Sequence, residues 1–362
     1  MKERIAWIDG LKFFACLAIV WGHVFGIFYP QTLASPVRQA VKALGALEMS
    51  CFWVPVFCLV SGRLVRYHAG TGLLHALAHR YLRFAVPFAI SGFLIWAWLQ
   101  AFPAETQAYG ARLGNSWLAT MYAVPPRLAD VAAMTIVFDA TIDPPLWMLR
   151  DLFFGNAWVI FAGWMGERHA GGAARALVML GVAGGLAAGV SGIVWPGRMG
   201  SIAPHGILFA ATVLGCAMPS IEQWLEDWLG RKYSACLVLA AIWLSLTLLS
   251  FARGRMPDAA LWCIGLALAV LALAVLPAAR PVCRDLARLA PCGALSLPLY
   301  LLHAPMLVTV MLASYGAAEP AVGHTCAVLA AGAIGTASSL AAAAAWAWMS
   351  KRNFLAIFRH LW

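Results

Sequence analysis

Residues 7–26 read WIDGLKFFACLAIVWGHVFG. The stretch has the length and apolar content of a membrane-spanning helix, yet Asp9, Lys12 and His23 stand where lipid-facing positions call for hydrocarbon. An ionisable side chain in a span turns toward protein or a water-filled cavity and marks a functional site by default. Lys12 and His23 are eleven residues apart, which at 3.6 residues per turn puts them almost on one helix face, roughly 16 Å apart along the axis. With the N-terminus inside, Lys12 lies near the cytoplasmic face and His23 toward the outer half. A structural alternative stays open: Lys12 snorkels, and His23 is a hydrogen-bonded helix contact beside the small-xxx-small pair Gly22 and Gly26.

The rest of the chain agrees with a membrane interior. Hydrophobic residues make up 63% of 362 and charged residues 11%, with a mean hydropathy of +0.80. That composition excludes an ordinary soluble domain and predicts an all-α, polytopic membrane protein, one membrane-embedded domain over 1–362. Ten apolar segments centre near residues 18, 56, 93, 155, 183, 210, 242, 268, 304 and 335. The sixth, APHGILFAATVLGCAM, is short, and the region 109–124 is ambiguous. Lys2 and Arg4 precede the first apolar stretch as in a signal peptide, but no small-residue cleavage site follows, so it is read as a retained span.

Seventeen of the 25 Lys and Arg fall in connections that are internal if the N-terminus is cytoplasmic, seven fall outside, and Arg150 lies within a span. The asymmetry predicts both termini inside. The large non-spanning segment, 103–145, carries AVPPRLAD and DATIDPP and is expected to fold over the outer mouth. The net charge of +10 is scattered between apolar segments, not gathered into a patch with interleaved aromatics, which excludes a nucleic-acid partner. The nine cysteines, among them Cys16, Cys51, Cys58, Cys236 and Cys263, lack CxxC or Cys/His spacing. They read as small core residues, with no metal site. No internal repeat is evident, which counts against transporters built from duplicated halves.

His23 gains weight from polar groups in other spans. VPVFCLVSGRLVRYH supplies Ser61, Arg63 and Arg66, and HRYLRFAVPF supplies Arg80 and Arg83, at the cytoplasmic ends of spans two and three. Positive-inside charge accounts for Arg66 taken singly. Arg80 and Arg83, at i and i+3, present guanidinium forks on one face, an arrangement suited to phosphate oxygens. In PPLWMLRDLFFG, Trp147 stands one turn before Arg150, and Asp151 lies beside it; a self-neutralising pair and a ligand contact are equally admissible. GALSLPLYLLHAPML places Ser296, Tyr300 and His303 on one face, with Pro298 and Pro305 expected to kink the helix around them. His303 is either a functional group or a structural hydrogen-bond anchor.

Residues 4–23, RIAWIDGLKFFACLAIVWGH, resemble the first-span signature of the acyltransferase-3 family of integral-membrane acyltransferases. FWVPVFCLVSG, RYLRFAVP, PLWMLRDLFF and LSLPLYLLHAPM resemble its later landmarks in the same order, so the resemblance covers most of the chain. It implies a ten-helix enzyme that moves an acyl group, usually acetyl, from cytoplasmic acyl-CoA to a glycan hydroxyl; the abundance of Ala and Gly and the charge asymmetry point to a bacterial inner membrane. Acetyl-CoA is then a co-substrate, with no permanently bound cofactor, and the partners are the bilayer and a polysaccharide or lipid-linked oligosaccharide. By the same resemblance His23 corresponds to the catalytic histidine, Lys12 to the basic residue before it, and Asp9 to the acid of the motif. Arg80 and Arg83 correspond to the paired arginines. From the residues themselves, Arg63 joins them in a cationic cluster expected to hold the CoA phosphates, and Ser61, Trp147, Arg150, Tyr300 and His303 are expected to line or support the substrate site.

One departure is Lys12, where many members carry Arg. Lysine occurs in the branch that resembles fucose and exopolysaccharide O-acetylases, which favours a sugar acceptor and removes a bidentate phosphate contact at that site. The implied chemistry agrees with the residues: a neutral imidazole, with an unperturbed pKa near 6.5, can take a sugar hydroxyl's proton as it attacks a thioester. Direct transfer is preferred because Ser61, though followed by glycine, lacks a GxSxG elbow, while a covalent acyl-His23 stays open. The rival readings are a transporter or flippase of a glycan or small molecule using intramembrane His, Lys and Arg, and a scaffold in which these groups specify packing alone.

Overall fold

The computed structural model describes residues 6–27, 50–65, 67–68, 70–113, 118, 124–140, 142–169, 172–195, 201–229, 234–252 and 255–351. Of the charges weighed for orientation, Lys2, Arg4, Arg38, Lys42, Arg66, Arg198, Arg231, Lys232, Arg253, Arg352 and Arg359 lie outside the described residues. Among the described residues the regular structure is helical throughout, with no strand. The helices are α1 Ala6–Ile27, α2 Ser50–Leu64, α3 Leu73–Ala101, α4 Pro103–Arg112, α5 Leu128–Val137, α6 Met148–Arg168, α7 Gly172–Val194 and α8 Ala203–Gly215. There follow α9 Met218–Leu229, α10 Ser234–Ala252, α11 Asp258–Val275, α12 Arg280–Arg288, α13 Ser296–Met306 and α14 Leu312–Lys351.

Ala6–Val24, Leu73–Ala101, Gly172–Val194, Asp258–Val275 and Ala290–Ser350 are long and apolar enough to cross a membrane. Ala203–Gly215 with Met218–Leu225 adds a pair bent by 68°. The chain is therefore an all-α, multi-pass membrane protein, and each span centre expected from the sequence falls within a helix. The sixth segment reads as short because it turns after Gly215, and Pro219 occupies the start of α9, where a missing N–H leaves no bond unmade. The long terminal helix is broken at Gly323 (φ 76°, ψ 163°), a conformation that suits glycine. Its arms, 312–322 and 324–351, fold back on each other, since Gly335 packs on Met311, each twelve residues from the break. The described part of 103–145 carries α4 and α5, and α5 ends on Phe138 in the left-handed conformation (φ 53°). That residue is held by burial and an edge-on contact of its ring with Phe88, 5.6 Å between centroids.

The chain divides into two compact units: Met1–Ala15, Met49–Tyr81 and Met148–Gly293 in the first; Cys16–Glu48, Leu82–Trp147 and Ala294–Trp362 in the second. In the first unit α8 is the central helix, packed against α2, α6 and α7. Helices gain no hydrophobic force from meeting in lipid, so close packing of small residues must hold them. The buried residues of α7 are all glycine: Gly181, Gly185, Gly189 and Gly192. A methyl at Gly185 would run into the carbonyl oxygen of Gly206 on α8. Gly62 of α2 lies on the Thr212 carbonyl oxygen, Gly215 on that of Leu59, and Gly265 of α11 on that of Cys51, each too close for any side chain. The first turn of α1 joins this unit the same way: Gly10 abuts the Leu286 carbonyl, and Gly293 abuts Asp9. The eight cysteines described are free, with Cys16 and Cys58 buried, and the side chain of Cys236 lies outside the described set.

In the second unit α13 and α14 pack together and α4 packs on α14, where Gly316 admits the Tyr109 ring. Gly332 of α14 touches Val24 of α1, and Gly92 of α3 receives Met134 of α5.

Gly62→Val forces a side chain into the Thr212 backbone and is expected to cost about 2 kcal/mol or more. Gly184, beside the same stripe but facing open space, accepts Ala with an unchanged or raised unfolding midpoint. Thermal unfolding of the two purified variants in one detergent measures the contrast.

Candidate active site

In the second unit α1 and α13 bring together two histidines that the sequence separates. The rings of His23 and His303 stack with centroids 5.1 Å apart and planes 27° apart. His303 is fully buried, and its Nδ1 lies 2.6 Å from the Tyr300 carbonyl oxygen. A carbonyl only accepts, so Nδ1 carries the hydrogen and the lone pair of the neutral ring is on Nε2. That Nε2 is buried with no hydrogen-bond partner. A buried acceptor left open is costly in a structural residue and useful in a proton-transfer residue.

The surroundings explain how the ring is held. The Tyr300 hydroxyl donates to the Pro145 carbonyl at 2.6 Å, tying α13 to the 3₁₀ turn Pro144–Leu146, which Trp147 follows. Ser296, at the start of α13, is also fully buried. Pro298 does not kink the helix as expected: α13 begins at Ser296, so the proline sits in the first turn, where its missing N–H has no bond to break. Pro305 does disturb it, and the chain passes into a π-helical turn over Leu307–Met311. Before the 3₁₀ turn, Asp143 is fully buried, accepts a hydrogen bond from the Ser91 hydroxyl on Oδ2, and has no partner for Oδ1. Arg83, half-buried on α3, belongs to this unit as well.

The remaining candidates lie in the first unit. Arg80 Nη2 stands 3.5 Å from the Ser61 hydroxyl, so these two do meet. Arg63 forms an ion pair with Glu222 of α9 and lies over the Trp7 ring, 5.4 Å from its centroid. Asp9 is buried against Gly293, and Lys12 is half-buried on the next turn of α1. Arg150 and Asp151 do not simply pair with each other: His205, from the first turn of α8, stands between them. Glu222, His205, Asp143 and Ser91 were not singled out in the sequence. Ser91 and His205 are lone polar residues in apolar runs, Asp143 lies in a connection and Glu222 in a helix with several other polar residues, and the partner of each comes from a distant segment. Among the described residues no three His, Cys, Asp or Glu side chains converge as a metal site would require.

A helical membrane protein with an open imidazole acceptor inside it has the makings of a group-transfer enzyme, and the comparisons with known proteins name the group. Residues 5–346 match the family profile Acyl_transf_3, the acyltransferase domain. The chain belongs to the acyltransferase-3 family and is a membrane acyltransferase. No curated protein and no solved structure matches it significantly.

Asp143, in the connection before α6, supplies a pH test. Burial raises its carboxyl from 3.8 to about 7, against the opposing pull of the Ser91 hydrogen bond. Below the unfolded value both states are protonated. Between the two values the unfolded chain ionises while the folded one holds its proton, so stability falls as pH rises through this window and levels off above it. Thermal midpoints measured from pH 4 to 8 are expected to show this decline in the wild type and to lack it in Asp143→Asn.

Proposed function

We propose that this acyltransferase is an O-acetyltransferase of the exopolysaccharide and fucose O-acetylase-like branch. It sits in a bacterial inner membrane with both termini cytoplasmic, and it moves acetyl from cytoplasmic acetyl-CoA to a sugar hydroxyl of a surface or secreted polysaccharide. The observation that carries the reading is the stacked His23–His303 pair, in which the fully buried His303 ring has its tautomer fixed and a lone pair left open. His23 takes the hydroxyl proton as the sugar oxygen attacks the thioester carbonyl. The tetrahedral intermediate then expels the CoA thiolate, which leaves with that proton, so the products are the O-acetyl ester, free CoA thiol and neutral His23. His303 Nε2, an acceptor on the ring stacked against His23, is placed to take a hydrogen bond from a neighbouring hydroxyl of the sugar. Arg80 beside Ser61 is the donor-phosphate candidate with the better claim. Arg63, already matched by Glu222, fits a supporting role there.

Transfer of radiolabelled acetyl from acetyl-CoA to envelope or secreted glycan tests the proposal, using membranes with wild-type protein and with His23→Ala at matched abundance. General-base catalysis is worth about 100-fold or more, so the label is expected to fall by that factor in His23→Ala. Arg80→Ala is expected to raise the KM for acetyl-CoA with a smaller change in kcat. Undiminished label in His23→Ala would overturn the assigned role. No label in the wild type with acetyl-CoA would remove the acetyl donor and return weight to a carrier of glycans.

A further inference from the structure

The first unit holds a second polar constellation, built in sequence from residues that apolar segments keep apart. His205 Nδ1 lies 2.7 Å from Asp151 Oδ2. The carboxylate accepts, so Nδ1 carries the hydrogen and the ring presents its Nε2 lone pair on the other side, where Arg150 Nη2 donates to it across 3.0 Å. Arg150 Nε stands 4.0 Å from Asp151 Oδ1, beyond hydrogen-bond range. Side-chain exposure climbs along the chain, from 7% at Asp151 through 30% at His205 to 43% at Arg150.

A pair built only to neutralise itself would have the guanidinium grip the neighbouring carboxylate directly, two N–H groups to two oxygens. Here a neutral imidazole is interposed instead. It takes a single guanidinium hydrogen, holds one edge of the group, and leaves the fork's other donors outside hydrogen-bond range of Asp151 on a side chain that is 43% exposed. A fork held in place at one edge and open at the other is preorganised for a planar or tetrahedral oxyanion. Helices α6 and α8 both begin within three residues of this cluster, Met148 before Arg150 and Ala203 before His205. The partial positive charge of two helix starts therefore adds to the field an anion would meet.

We propose that Arg150 binds an oxyanion group of the acceptor glycan, a sugar carboxylate or phosphate, with His205 and Asp151 as its positioning residues. Calling the ligand the acceptor rests on the acetyl-transfer reading above; the oxyanion site itself does not.

The test uses the full chain in lipid nanodiscs and reads the phenylglyoxal modification rate of Arg150 by peptide mass spectrometry, with no transfer reaction involved. A charge-assisted contact made by a held guanidinium is worth about tenfold in occupancy. Methyl glucuronide or glucose 1-phosphate is therefore expected to slow the modification about tenfold, while methyl glucoside leaves it unchanged. Protection by the glucuronide alone assigns a carboxylate, and protection by the sugar phosphate alone assigns a phosphate. Equal protection by the neutral glucoside, or none by any probe, would overturn the site. His205→Gln keeps a donor and an acceptor on one planar group and is expected to retain protection, whereas His205→Leu loses it. Full protection in His205→Leu, or loss in both variants, would overturn the positioning role. Intact protection in a chain that transfers no acetyl would count against the acetyl-transfer reading and leave this site standing.

Discussion

A membrane offers helices no hydrophobic reason to meet, because lipid tails are as apolar as leucine side chains. What remains is contact at short range, and in the first unit it is backbone against backbone. At Gly62, Gly215 and Gly265 the place of a side chain is taken by a carbonyl oxygen of the neighbouring helix. The glycine then points a Cα–H at that oxygen, a weak attraction repeated at each crossing, and neighbouring atoms pack at van der Waals distance. Thr212 is the node where this matters most. Its carbonyl faces Gly62 of α2, its side chain is pressed against Gly155 of α6, and its hydroxyl donates back to Leu208 at 3.0 Å. One residue thus sets the spacing of three helices.

The second unit solves a different problem, holding polar groups inside helices that must reverse direction. Gly323 makes the reversal, and a network pins it: Tyr315 donates to Glu319 at 2.7 Å and lies 3.0 Å from His324 Nδ1, while Arg112 of α4 pairs with Glu319 at 2.9 Å. At the other end of α13 the Tyr300 hydroxyl fixes the helix to Pro145. Between these anchors the π-helical turn after Pro305 absorbs the mismatch in hydrogen bonding. His303 is therefore set from both sides, which is why its ring can keep one nitrogen bonded and the other open.

The sequence made legible whatever one helix carries by itself. Helical periodicity was enough to put Lys12 and His23 on one face of α1, and runs of apolar residues were enough to mark where helices lie. Ser296, Tyr300 and His303 are local to α13 in the same sense, and all three are buried in a helix that is buried nearly all round. The partners were not legible, because they are made by tertiary packing. Arg63 advertises a charge, but its match to Glu222 depends on where α9 lands after the bend at Gly215. Asp151 and His205 are 54 residues apart, and nothing near His205 in its run of Ala, Gly and Leu marks it as polar machinery. Pro298 illustrates the opposite error: a proline has meaning only relative to where its helix begins, and that boundary was not readable from the pattern.

The two levels meet at α6 and α8. The contact of Gly155 with Thr212 fixes how closely these helices run, and toward their N-terminal ends Asp151 lies four residues before Gly155 and His205 seven before Thr212. One turn on α6 and two on α8 bring both side chains back to the shared face. Because the paired positions occur in the same order on both helices, the two run parallel, and their N-termini lie at the same end. The small residue that lets the backbones approach therefore also sets the 2.7 Å separation of carboxylate and imidazole, and through it the orientation of Arg150. A bulkier side chain at position 155 would push the helices apart and break that hydrogen bond before it disturbed any residue exposed to solvent. The position of the polar cluster is thus a consequence of packing, and its chemistry is tuned by a glycine that carries no polar side chain of its own.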